Sequence, residues 1–209
     1  MNDFTIKLLG LLVLAPVLLL SLMLHELAHG LVANRLGDVT AKRMGRLTLN
    51  PLKHLDPVGT TVFIVTYLLP GFLVFGWAKP VPVSPYYFKN RQRGMALVGL
   101  AGPLTNFALA VVFAVILNAT QPDRGGLLYE ILFTAFIVNV VLGLFNLIPV
   151  PPLDGSRVVG AFLPRKAYEK WVELDRYGMI LAILVLLVLV YSGLFEWAIY
   201  GLRDLFLAG

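Results

Sequence analysis

His25-Glu26-Leu27-Ala28-His29 places two imidazoles four residues apart with a carboxylate between them. At 3.6 residues per helical turn, such positions lie about 40° apart around the axis. Both imidazoles then face one way and can share a metal ion, while Glu26 sits beside them to handle a proton. The chemistry of that arrangement is metal-assisted hydrolysis. Met1 to Asn34 carries only Asp3, Lys7 and Glu26 as charged side chains, so the motif lies within an apolar run long enough to cross a bilayer. A hydrolytic centre in lipid implies a substrate that is also in lipid.

A catalytic zinc site takes three protein ligands and keeps one position open. The chain has no cysteine, which removes thiolate ligands. The extended metzincin pattern would need a histidine where Arg35 stands. Asp154 follows the helix-breaking run Pro149-Val150-Pro151-Pro152 and precedes Gly155, and His54 and Asp56 are rivals in the loop after the first helix.

The elements that must position these residues are helical and apolar. Hydrophobic residues make up 58% of the 209 positions and charged ones 14%, against about 25% charged in soluble domains. The expected fold is an all-α polytopic membrane protein with about four spanning helices. The first runs from about Phe4 to Leu36, with Pro16 inside it and Gly37-Asp38 ending it. The others are Met95–Leu117, Leu127–Ile148 and Met179–Leu202. A short β element is expected near 39–50. A re-entrant or hairpin segment is expected near 57–75, broken at Pro70-Gly71, and Arg165–Arg176 reads as an exposed amphipathic stretch.

Loop charges choose between a dip and a full crossing for 57–75. With the C-terminal end of the first helix inside, a dip leaves fourteen Lys and Arg inside and three (Lys7, Arg124, Arg203) outside, whereas a crossing leaves seven inside and ten outside. Cytoplasmic loops carry the excess of basic residues, so the dip is favoured. It also brings Asp154 to the same face as His25 and His29.

Two separated stretches, His25–His29 and Asn146-Leu-Ile-Pro-Val-Pro-Pro-Leu-Asp154-Gly155, resemble the signature of the site-2 protease family of intramembrane zinc metalloproteases, peptidase family M50. Gly102-Pro103-Leu104-Thr105-Asn106 is similar to the glycine-proline-asparagine element of that family's middle core helix. The resemblance implies Zn²⁺ bound by His25, His29 and Asp154, with Glu26 as catalytic base and Asn146 polarising the scissile carbonyl. Asn106 is then a substrate contact or a helix-packing hydrogen bond. His54 is expected in a shaped loop adjacent to the active site. The chain is similar to the compact subgroup without a PDZ or CBS domain.

The resulting expectation is a single membrane-embedded domain over 1–209. Its catalytic core spans about 4–156, and accessory C-terminal helices occupy 157–209. It would cleave membrane-protein substrates in a bacterial cytoplasmic membrane, with the site toward the cytoplasm. A separate regulatory protein or a homo-oligomer is an expected partner. The net charge of +5 is assigned to orientation rather than to nucleic acid. A metal transporter would need more intramembrane ligands, and a non-catalytic relative would give Glu26 no task.

Overall fold

The computed structural model describes residues 2–70 and 74–206. Nine α-helices are formed among them: α1 (Asp3–Arg35), α2 (Thr40–Arg43), α3 (Pro57–Leu68), α4 (Arg91–Thr120), α5 (Leu127–Asn146), α6 (Asp154–Gly160), α7 (Arg165–Glu173), α8 (Gly178–Ser192) and α9 (Leu194–Phe206). Four stretches are long and apolar enough to cross a membrane: Asp3–Arg35, Arg91–Thr120, Leu127–Asn146 and Arg165–Ser192. Large apolar side chains such as Leu12, Leu104, Val115 and Val188 are more than half exposed on their outer faces. Such a surface belongs against lipid rather than water. The protein is an integral membrane protein.

The core is a three-helix bundle of α1, α4 and α5. Hydrogen bonds pair His29 with Val98 and His25 with Asn106, so α1 and α4 are antiparallel. Asn106 pairs with Asn139, and Asn139 with Ser21. The C-terminal ends of α1 and α5 therefore meet the N-terminal half of α4 at one level. Close approach depends on small residues: a Cβ at Gly143 would stand 2.9 Å from the Phe107 ring. Away from the site, Phe136, Leu132, Leu117 and Val140 pack with Ile199, Leu202 and Phe206 of α9.

Three expectations change. No strand forms among the described residues, and the β element near 39–50 is replaced by the single turn α2 and a 3₁₀ turn at Pro51–Lys53. The cause is local capping. Asp38 accepts Thr40 N–H, two residues on, at 2.9 Å, while Asn50 Oδ1 accepts Leu52 N–H. Side chains that bond nearby backbone in this way favour turns over ladders. The last span does not continue to Leu202 but breaks at Gly193, which adopts φ +65°, and α9 turns back onto α4 and α5. The span at Met95–Leu117 starts earlier, at Arg91, because Asn90 caps it through Arg93 N–H.

Described residues on either side of 71–73 contact one another. Phe75 N–H donates to Thr66 Oγ1 at 3.2 Å, Gly76 lies against Phe63, and Lys79 N–H donates to the His54 carbonyl at 2.9 Å. Gly71, half of the anticipated break, lies outside the described residues.

Asp38 is fully buried. Burial works against its charge, but the Ser84 and Thr40 donors win and hold its carboxyl below the ordinary value of 3.8. A depressed carboxyl stabilises the fold above its unfolded pKa, and this stabilisation fades as pH falls through the lowered value. Asp38→Ala is expected to reduce the Tm of detergent-solubilised protein by about 5 °C at pH 7. Thermal scans should show the gap to wild type narrowing as pH falls through the lowered carboxyl pKa.

Candidate metal centre

His25 and His29 lie one turn apart on α1, both buried. Asp154 reaches them because α5 stops at Asn146 and the chain turns through Leu147–Leu153, with a cis Pro151-Pro152 peptide, before α6 starts. The turn requires Gly155, whose absent side chain would otherwise collide with the Leu147 carbonyl.

Three atoms converge. His25 Nε2 and His29 Nε2 stand 2.9 Å apart, and Asp154 Oδ2 lies 3.1 Å from the first and 3.2 Å from the second. Ligand atoms held about 2.0–2.1 Å from one tetrahedral ion are about 3.3 Å from each other, so the triangle is close to the size zinc needs. Two further observations fit a metal. Asp154 Oδ2 is buried with no hydrogen-bond partner, an arrangement that is costly unless something satisfies it. A Cβ on Gly102 would stand 2.5 Å from both His25 Nε2 and His29 Nε2, so α4 leaves a cradle where the ligand atoms meet. Among the described residues this is the group of His, Asp and Glu side chains able to hold a metal ion.

The outer ring nitrogens are fixed as well. His29 Nδ1 donates to the Val98 carbonyl at 2.7 Å, and His25 Nδ1 donates to Asn106 Oδ1 at 2.6 Å. Asn106 Nδ2 donates to Asn139 Oδ1, and Asn139 Nδ2 to Ser21 Oγ and the Ala135 carbonyl. With its Nδ2 committed to Asn139, Asn106 must present oxygen to His25. Both imidazoles then carry their proton on Nδ1 and turn a bare Nε2 toward Asp154. Such partners orient metal ligands and raise their basicity.

Asn106→Ala is expected to weaken zinc binding about 10–100-fold. A competition titration against a chromophoric chelator checks this.

Glu26 does not join the triangle. Its Oε2 accepts Val81 N–H at 2.7 Å. Glu26, His25, His29, Asp154 and Asn146 all line one cavity of about 1170 Å³, whose remaining wall is mostly apolar and includes Leu22, Phe63, Trp77, Met179 and Ala182. Asn146 is half-buried and donates to the Leu142 carbonyl at 3.0 Å. His54 is fully buried but is not part of this lining. Its Nε2 pairs with the Thr48 carbonyl at 3.0 Å, and its own carbonyl receives Lys79. Asp56, a rival ligand, instead caps α3 through Gly59 N–H.

Ser21, Val81 and Asn139 are site residues that the sequence reading passed over. A signal existed for two of them: Ser21 is one turn before His25 on the same face, and Asn139 is a lone amide in an otherwise apolar span. Polar groups in spans generally face the bundle interior.

Comparison with known proteins agrees with this geometry. The sequence profile described as Peptidase family M50 matches residues 13–124 and 121–191. Among relatives, YwhC of Bacillus subtilis, named as a candidate zinc metalloprotease, is 38% identical over 91% of this chain and 85% of its own length. Rip2 of Mycolicibacterium smegmatis, named likewise, is 30% identical over 89% of this chain and 71% of its own. Zinc metalloprotease MJ0392 of Methanocaldococcus jannaschii is 29% identical over 84% and 42%. No solved structure gives a significant match. The chain belongs to peptidase family M50. It is a zinc metalloprotease embedded in a membrane.

Proposed function

We propose that the protein is an intramembrane endopeptidase that cuts peptide bonds within or near the spanning segments of other membrane proteins. The observation that carries this reading is the convergence of His25, His29, Asp154 and Glu26 on the wall of a large apolar cavity between spanning helices. A soluble peptide gains nothing from such a wall, whereas a transmembrane segment is matched to it.

His25, His29 and Asp154 hold the zinc. Bound there, the ion supplies Lewis acidity, which acidifies water and polarises a carbonyl. Glu26 accepts a proton from the attacking water and returns it to the leaving amine. Val81 N–H, fixed on Glu26 Oε2, keeps that carboxylate oriented. Asn146, on the same cavity wall, donates to the substrate carbonyl and strengthens its polarisation. Doing so requires it to exchange the Leu142 carbonyl for substrate. The substrate helix must unwind locally, since its carbonyls are otherwise engaged in its own backbone bonds.

The catalytic core is residues 4–156, and 157–209 is accessory, with α8 closing one side of the cavity through Met179 and Ala182. Segment 57–75 dips into the membrane and returns. At 12 residues, α3 is about 18 Å long, short of the roughly 30 Å hydrocarbon layer, and the Thr66–Phe75 and His54–Lys79 bonds fit a return to the starting face. The fourteen basic loop residues on that face favour a site open toward the cytoplasm of a bacterial cell.

The chain lacks cysteine, so single cysteines report topology cleanly. Lys53→Cys and Lys89→Cys are expected to react with an impermeant maleimide from the cytoplasmic side, and Arg124→Cys from the other. Opposite labelling of positions 53 and 89 would mean a full crossing. The function itself is tested with purified protein and a single-span reporter. Zinc-dependent fragments ending inside the span are expected by mass spectrometry. Cuts confined to soluble flanks would refute intramembrane cleavage.

A further inference from the structure

Arg46 is a buried cation that the zinc chemistry leaves unexplained. It is 6% exposed, yet among the described residues no carboxylate pairs with it. Its Nη2 donates instead to the Lys79 carbonyl at 2.7 Å and to the Pro80 carbonyl at 3.3 Å, while Nε has no partner. Burying a charge without a counter-charge is costly, and packing alone gives no reason to accept that cost.

The backbone that Arg46 grips leads directly to the site. Pro80 and Pro82 fix φ on either side of Val81 and lack N–H groups. Val81 therefore presents the one backbone donor between Lys79 and Val83, and that donor bonds Glu26 Oε2 at 2.7 Å. The two segments also pack on the same face of α1. A Cβ at Gly30, one turn beyond Glu26, would meet Leu47 and Val81 together. A continuous path thus runs from the Arg46 guanidinium, through the Lys79 and Pro80 carbonyls, to Val81 N–H and the Glu26 carboxylate.

We propose that Arg46 is a positioning residue for Glu26: by clamping the carbonyls of Lys79 and Pro80 it aims Val81 N–H at Glu26 Oε2, leaving Oε1 for proton transfer. The proposal rests on the reading of Glu26 as the base. It gives the proline-rich segment a task beyond forming a wall, and it gives the turn after α2 a link to catalysis without touching metal or substrate.

The test uses the full chain with a membrane reporter. It compares Arg46→Met, which keeps length but removes the donors, with Arg46→Lys, which restores one. Val81→Pro removes the N–H. Arg46→Met is expected to lower kcat about 10–100-fold, with KM within about twofold and one zinc per chain. Arg46→Lys should recover most of that loss. Val81→Pro should resemble Arg46→Met, and the double variant should be no slower than the slower single one, as expected for residues acting along one path. Wild-type kcat in Arg46→Met, zinc lost together with kcat, or losses that multiply in the double variant would overturn the proposal. Should Arg46→Met not fold, Val81→Pro alone still decides, since wild-type kcat in that variant overturns the proposal. Glu26→Gln is run beside them. Full activity in that variant overturns the assignment of the base, whereas an inactive Glu26→Gln beside an unimpaired Arg46→Met overturns only the role of Arg46.

Discussion

Glu26→Gln is expected to keep one zinc per chain and to lose cleavage by about 10²–10⁴-fold, the range that positioned proton transfer supplies. The substitution is close to isosteric, and a glutamine oxygen can still accept the Val81 N–H that Glu26 Oε2 accepts at 2.7 Å. Shape and packing are therefore retained while basicity is removed. Glu26 contributes no atom to the His25–His29–Asp154 triangle, so metal content should not change. The loss should appear in kcat rather than in KM, because Glu26 acts on the proton and not on the body of the substrate. Metal analysis and steady-state kinetics on one preparation check both halves. Loss of zinc alongside activity would make Glu26 a structural support for the site.

Gly102→Ala should abolish zinc binding while leaving the helices intact. In an exposed helix the same change would be favourable by about 1 kcal/mol, since glycine is the poorer helix former. Here the new methyl would stand 2.5 Å from His25 Cε1, His25 Nε2 and His29 Nε2. The imidazoles cannot yield easily, because their far nitrogens are tied to Asn106 and the Val98 carbonyl. A loss of zinc affinity of at least about 100-fold is expected, larger than for Asn106→Ala because both ligands move at once. Circular dichroism should stay helical. Normal zinc content in Gly102→Ala would mean that the ligand atoms meet elsewhere.

The histidine pair of the candidate metal group was legible because its chemistry is written in local spacing. The His25-to-His29 interval needs only a helix to become a half-site, and a carboxylate inside a span has few structural uses. Asp154 was harder to read, since more than a hundred residues separate it from His29. Its assignment came from the match of the Asn146–Gly155 element to the site-2 protease signature, with the charge bias of the loops putting the two on one face. The β element near 39–50 was misread for a physical reason. Val39 and Thr40 favour strands by composition, but Asp38 takes the Thr40 N–H on its own carboxylate and tightens the chain into a turn. Gly193 falls within the expected Met179–Leu202 span. Its positive φ became visible only with α9 folded back onto the bundle. Asn139 and Arg46 act through partners far away in the chain, at Ser21, Asn106, Lys79 and Pro80. No local pattern reports such pairings.

The most direct measurement is zinc-edge X-ray absorption together with metal content, on the wild type and on Asp154→Ala. Joint ligation by His25, His29 and Asp154 predicts one zinc per wild-type chain, with two imidazoles and oxygen in a shell at about 2.0–2.1 Å. It also predicts that Asp154→Ala loses most of its metal. Full zinc content and an unchanged shell in Asp154→Ala would contradict it.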